Sequence, residues 1–249
     1  MNGWSRSVRA ELMKLTSTRM PWAFAVVLLV IAAINAAAVA FGTDMDGSKA
    51  FVSTAADQRS LVAFAGNATM IAGLFGAIAV AREYGHLTVI PTFLAEPRRR
   101  RAAIAQLVAI AIGGAVVGAV GAALTIVAVA AALPTTEFGF LVSMAGVLQV
   151  IGASALCGAA GAVLGAGIGT VVRNVGGAVT GAVLALIVAP PLLVQLVSSA
   201  ASWVPSSLAL VLSGVTDDVG GPAAVAALAA WALVPAAIGV VVVQRRDVV

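Results

Sequence analysis

The side chains able to do chemistry are few and far apart. The chain has one histidine, His86, and one cysteine, Cys157. Nucleophilic catalysis inside a membrane needs a buried serine beside a histidine, whereas His86 follows Gly85 in a charged stretch. A metal centre needs several converging His, Cys or carboxylate ligands, and His86 and Cys157 are far apart in sequence. A lone cysteine cannot form an intrachain disulfide. The phosphate loop G-x-x-x-x-G-K-[ST] is absent, because the only lysines, Lys14 and Lys49, follow Met13 and Ser48 rather than glycine. The chain therefore does not bind ATP by that route.

Polar chemistry concentrates in residues 82–101, REYGHLTVIPTFLAEPRRRR. Arg82 and Glu83 open the stretch and four arginines, Arg98 to Arg101, close it. Between Gly85 and Pro97 lies an amphipathic piece carrying Leu87, Val89, Ile90, Phe93 and Leu94. Charges at the centre of a membrane span cost about 2.5–3.5 kcal/mol each, so this stretch belongs in water or among lipid headgroups. It reads as a docking element.

The elements that must position it follow from composition. The chain is 61% hydrophobic and 10% charged, against about 25% charged for a soluble domain. That points to an all-α polytopic membrane protein in the lipid bilayer. At about 20 apolar residues per span, the 249 residues accommodate six spans in a single transmembrane domain. Hydropathy places them within residues 21–42, 61–81, 102–133, 140–172, 175–199 and 222–243. Residues 1–20 come before, with Trp4, Val8, Leu12 and Leu15 on one stripe and Arg6, Arg9, Lys14 and Arg19 beside it. This spacing predicts a helix lying in the membrane interface. Glu11 interrupts the stripe, and Lys14 is placed to pair with it. A cleaved signal peptide fits less well, because the apolar run is too long and the basic lead too extended.

Residues 43–60 read as a polar loop, 134–139 as a tight turn, and 200–221 as an outer segment that dips into the interface. Pro190-Pro191 predicts a kink or break in the fifth span. Gly161, Gly165 and Gly169 recur at every fourth position, as do Gly177 and Gly181, and Gly114 and Gly118. In lipid, such small residues let helix backbones approach closely. They read as packing positions.

Basic residues fix the orientation. With both termini on one side, that side carries twelve Lys and Arg residues and the other only Lys49 and Arg59. The positive-inside rule makes the rich side cytoplasmic. The basic residues sit at span ends, so the net charge of +4 is no nucleic-acid signal. No predicted span carries an ionisable residue at its middle, as proton- or ion-coupled pumps usually do.

The opening Glu11-Leu12-Met13-Lys14-Leu15-Thr16-Ser17-Thr18-Arg19 before Pro21-Trp22 resembles the start of bacterial ABC-2 type permeases. The run Ala81-Arg82-Glu83-Tyr84-Gly85-His86-Leu87-Thr88 is similar to that family's segment after the second span. Phe93-Leu94-Ala95-Glu96-Pro97-Arg98-Arg99-Arg100 follows it as in the family. One departure is Gly85-His86-Leu87-Thr88, where the family tends to read Arg-His-Gly-Thr.

The resemblance implies the membrane subunit of an exporter in the bacterial plasma membrane. It would not be an enzyme itself and would bind no cofactor. Two cytoplasmic ATPase chains would hold the ATP and magnesium, and a second permease chain, the same or related, would complete the pathway. The N-terminal (elbow) helix, with Glu11 and Lys14, and a coupling helix in 82–101, with Glu83, Tyr84, His86, Leu87, Thr88 and Phe93, would contact the ATPases. Phe64, Asn67, Thr69, Phe75 and Gln195 would line the path of a hydrophobic or amphipathic compound such as a drug, antibiotic, peptide or lipid. The alternative is a membrane scaffold that anchors a cytoplasmic partner without transport.

Overall fold

A computed structural model describes residues 3–45, 47–86 and 99–245. The described residues are helical, with no strand among them, and six helices are long and apolar enough to cross a membrane. The first helix, α1 (Gly3–Thr16), is amphipathic. The first span is α2 (Met20–Phe41), with Pro21 in the first turn, where a missing N–H costs nothing. Gly42 ends it in an extended conformation. Lys49 Nζ then donates to the carbonyls of Val39 (3.2 Å) and Ala40 (2.7 Å), satisfying acceptors that the helix end leaves open.

Residues 43–60 are more ordered than a polar loop. A short 3-10 turn (Ala50–Val52) leads into α3 (Ala55–Val62), which opens on a reciprocal capping box between Thr54 and Asp57. The second span, α4 (Ala65–Gly85), follows after a break at Ala63 and Phe64. The third, α5 (Arg99–Ala132), ends in a 3-10 turn at Leu133–Thr135. The fourth, α6 (Met144–Val172), starts later than residue 140 because the backbone stays extended until Ser143 caps it through Gly146 N–H.

The fifth span stays helical through Pro190-Pro191, where a kink or break was expected, so the helix does not break there. It runs through α7 (Val175–Val183), a π-helical stretch (Leu184–Val188) and α8 (Ala189–Leu196). Pro190 and Pro191 bring no N–H to the ladder. The wider turn just before them keeps the chain helical, with Ala189 N–H donating to Leu184 O. The segment after it is a 3-10 run (Ser198–Trp203) and α9 (Pro205–Leu212), and the last span is α10 (Gly221–Arg245).

The hub of the bundle is α6, which packs on α4, α5, α7, α9 and α10. Its small residues explain why. A Cβ added at Gly161 or Gly165 would overlap the carbonyl of Thr69 or Gly73 on α4, and one at Gly169 would lie 2.7 Å from Ala77 O. On another side, Gly158 meets Gly114, and Gly118 of α5 meets the backbone of Ser154. On a third, Gly167 lies against Pro235 and Ala236 of α10. Gly177 and Gly181 do something else. Their nearest neighbours are side chains, Val172 and Asn174 for the first and Ile168 for the second.

Two cores flank this seam. One gathers Leu28, Val62, Phe64, Val129 and Val150 towards the end that holds α3. The other gathers Met20, Phe75, Tyr84, Ile110 and Val243 towards the end that holds α1 and the last turn of α10. The short α9 inserts Leu208 and Ala209, both fully buried, among α4, α6 and α10.

Candidate functional site

The arginine-rich end of the bundle collects α1, the last turn of α4, the first turns of α5 and the C-cap of α6. The face that α1 turns inward carries most of the expected stripe together with Glu11. Glu11 is buried at 6% exposure, Val8, Leu12 and Leu15 are half-buried, and Trp4, near the start of the helix, is exposed. The helix docks against α5, with Leu15 reaching Gly113.

That docking brings Glu11, Lys14 and Glu83 together. Lys14 Nζ lies 2.7 Å from Glu11 Oε1 and 3.5 Å from Glu83 Oε2. The side chain of Gln106, two turns into α5, hydrogen-bonds Glu83 as well. One ammonium therefore spans two carboxylates that would otherwise repel each other, and a neutral amide stands beside them. The next residue, Tyr84, is buried and turns towards α6. The Arg173 guanidinium sits 5.2 Å from its ring centroid, a cation–π arrangement. Arg173 caps α6 in the left-handed conformation (φ 60°) that normally favours glycine. It is the one non-glycine with positive φ among the described residues.

The end of α4 is thus gripped from two sides: by α1 and α5 through Glu83, and by α6 through Tyr84. His86 caps α4 with its N–H on Arg82 O (2.9 Å), and its side chain is exposed. Leu87, Thr88 and Phe93, with the rest of 87–98, lie outside the described residues. Glu83 was legible as a charge directly after an apolar run. Gln106 was missed, since a single amide near the start of a long apolar helix gives no sequence signal.

The residues expected to line a path do not share one surface. Phe64 and Phe75 are core, packed against Gly121 and Gly113, and Phe75 stacks edge-on with Phe24 (5.4 Å between centroids). Thr69 is buried, its hydroxyl bonded to Ala65 O. Asn67, in the first turn of α4, and Gln195, in the last turn of α8, are both exposed. Cys157 is fully buried in the core beneath α9. Among the described residues no three His, Cys, Asp or Glu side chains converge.

The arrangement ties α1, α4 and α6 to one another at this end of the bundle. No protein-family model matches the chain, and no curated protein matches it either.

Proposed function

We propose that the chain is the permease subunit of an ATP-driven exporter of the ABC-2 type, seated in a bacterial plasma membrane with both termini cytoplasmic. The observation that carries this reading is the Glu11–Lys14–Glu83–Gln106 cluster. It couples the N-terminal helix to the end of α4, immediately before the amphipathic segment 87–98. A load applied to that segment by a cytoplasmic ATPase would pass into α4, and from α4 through the glycine seam into α6. The elbow and coupling roles belong to α1 and to 82–101 in this reading. The energy source is a partner, because the sequence has no phosphate loop. The twelve-to-two distribution of basic residues supports the orientation. Of the path residues, Asn67 and Gln195 are on surfaces that a second permease chain could close, whereas Phe64, Thr69 and Phe75 serve the interior of one chain. The cargo class is hydrophobic or amphipathic.

The test is a mild-detergent pull-down of the full chain with identification of the proteins retained. Stoichiometric recovery of a phosphate-loop ATPase, whose turnover loses its dependence on the permease after Glu83→Gln, supports the reading. Recovery of the chain alone, or of a non-ATPase partner, would move the scaffold alternative ahead.

A further inference from the structure

The end opposite the arginines carries a cavity of about 390 Å³. It opens between α3, the extended residues 141–143 and the turn at 214–215, and Asp57, Arg59, Ser60, Ser143, Gly214 and Val215 are among its walls. Polar groups fix these walls to one another. Gln58 is fully buried, and its amide donates to Val52 O (3.0 Å) and Gly139 O (2.9 Å) while accepting from Leu141 N–H (2.8 Å). Arg59 Nη1 donates to Gly214 O (3.1 Å), and Gln149 donates to Leu212 O (3.3 Å). Gly214 has φ +68°, and a Cβ there would crowd both Gln149 and Arg59. A glycine, a buried glutamine and a half-buried arginine thus hold a concave site open where apolar side chains could have filled it.

The charges in the cavity are incompletely answered. Arg59 bonds neutral acceptors, Gly214 O and Gln149 Oε1 (3.4 Å), and forms no ion pair among the described residues. A guanidinium has more N–H donors than these two bonds use. Asp57 receives the Thr54 N–H (3.1 Å) and hydroxyl on Oδ2, and Oδ1 accepts nothing from the described residues. The cavity volume falls in the range of small-molecule sites, about 300–1,000 Å³.

We propose that this cavity binds a small zwitterion, with a phosphate or carboxylate on Arg59 and an ammonium group on Asp57. A simple anion would leave Asp57 opposing it, and a simple cation would meet Arg59. The headgroup of a phosphatidylethanolamine and a free amino-phosphate or amino acid share this chemistry. The assignment does not depend on the exporter reading.

The experiment uses the full chain in phosphatidylglycerol nanodiscs, titrated calorimetrically with O-phosphoethanolamine, inorganic phosphate and ethanolamine. Phosphoethanolamine is expected to bind about tenfold more tightly than either half, and Asp57→Asn or Arg59→Gln to weaken it about tenfold or more. Asp57→Asn keeps an acceptor for Thr54, so the cap of α3 survives. Ala56→Phe, at an exposed position on the rim, blocks the mouth without touching the polar network. A second arm uses mixed nanodiscs and native mass spectrometry. Retention of phosphatidylethanolamine over phosphatidylglycerol, lost in Asp57→Asn, assigns a lipid headgroup. Binding of the free probe with no lipid preference assigns a soluble zwitterion. No binding in either arm, phosphate binding as well as phosphoethanolamine, or indifference to both Asp57→Asn and Ala56→Phe overturns the proposal.

Discussion

Replacing Gly165 by alanine adds one methyl group at the tightest part of the bundle. The new Cβ would overlap Gly73 O and lie 2.8 Å from Gly73 C and 3.0 Å from Ala77 N, where ordinary contact begins at 3.4 Å. All three atoms are backbone of α4, so no rotamer change relieves them, and α4 and α6 must separate by on the order of 1 Å. Interiors are close-packed, and forcing in an extra methylene costs about 1–3 kcal/mol. The α4–α6 seam is the most extensive helix pair in the protein, which puts the expected loss at about 2–3 kcal/mol. The matched control is Gly152→Ala, on the same helix, where an added Cβ meets nothing within 4 Å. There, helix propensity alone acts and favours alanine by up to about 1 kcal/mol. Equilibrium unfolding in mixed micelles of mild detergent and dodecyl sulfate, followed by helical circular dichroism, measures both. Opposite signs are expected. Equal effects at the two positions, or a neutral Gly165→Ala, would refute close backbone approach as the reason for the glycine spacing.

Gln58→Leu leaves the carbonyls of Val52 and Gly139 and the N–H of Leu141 without their partner. At roughly 1–3 kcal/mol per orphaned group, the same unfolding assay should show a loss of about 3 kcal/mol or more, and a loss below about 1 kcal/mol would contradict the bonding pattern. Thr125→Val runs the other way. The Thr125 hydroxyl is buried with no hydrogen-bond partner among the described residues, so the isosteric change should leave stability equal or raise it by up to about 1 kcal/mol. A double-mutant cycle on Lys14→Gln and Glu83→Gln should give a coupling energy of no more than about 1 kcal/mol, because Lys14 is 38% exposed and 3.5 Å from Glu83. A larger value would mean that the cluster is drier than its exposure implies. In a Cys157→Ser background, Ala56→Cys and Arg100→Cys should label from opposite sides of the membrane, with Arg100→Cys reached only from the cytoplasm; labelling of both from one side would contradict the six-span topology.

The spans were legible because hydropathy alone sets them, and the glycine spacing because it repeats along one face of one helix. Gly161, Gly165 and Gly169 meet backbone as that spacing suggests, whereas Gly177 and Gly181 carry the same spacing and meet only side chains. The repeat is necessary for close approach without being sufficient, since a partner backbone must also be present. The end opposite the arginines was under-read for a different reason. Thr54-x-x-Asp57 is a capping signal in plain sight, but it sits in a short polar segment where a loop is the simpler expectation. Nothing local tells that Gln58 reaches residues 139 and 141, across more than 80 positions.

The same reasoning bears on Glu11, which with Lys14 and Glu83 stood out in the sequence while Gln106 did not. A charge within an apolar stripe reads as a defect if the helix lies free on a membrane, and Glu11 was weighed that way. Once α1 docks on α5, the inward direction is no longer lipid but the polar rim of the bundle, where Glu83 and Gln106 already stand. A buried and a half-buried carboxylate on neighbouring helices repel each other unless a cation stands between them, and Lys14, three residues after Glu11, fills that place. The apparent defect therefore adds to the docking: Glu11 lies on the same helix face as Val8, Leu12 and Leu15, so turning that face inward also brings Glu11 and Lys14 to Glu83. The helix is thus held by an apolar stripe and a charge on one face, so neutralising Glu11 removes the polar part of that hold and leaves the Leu15 contact with the core in place.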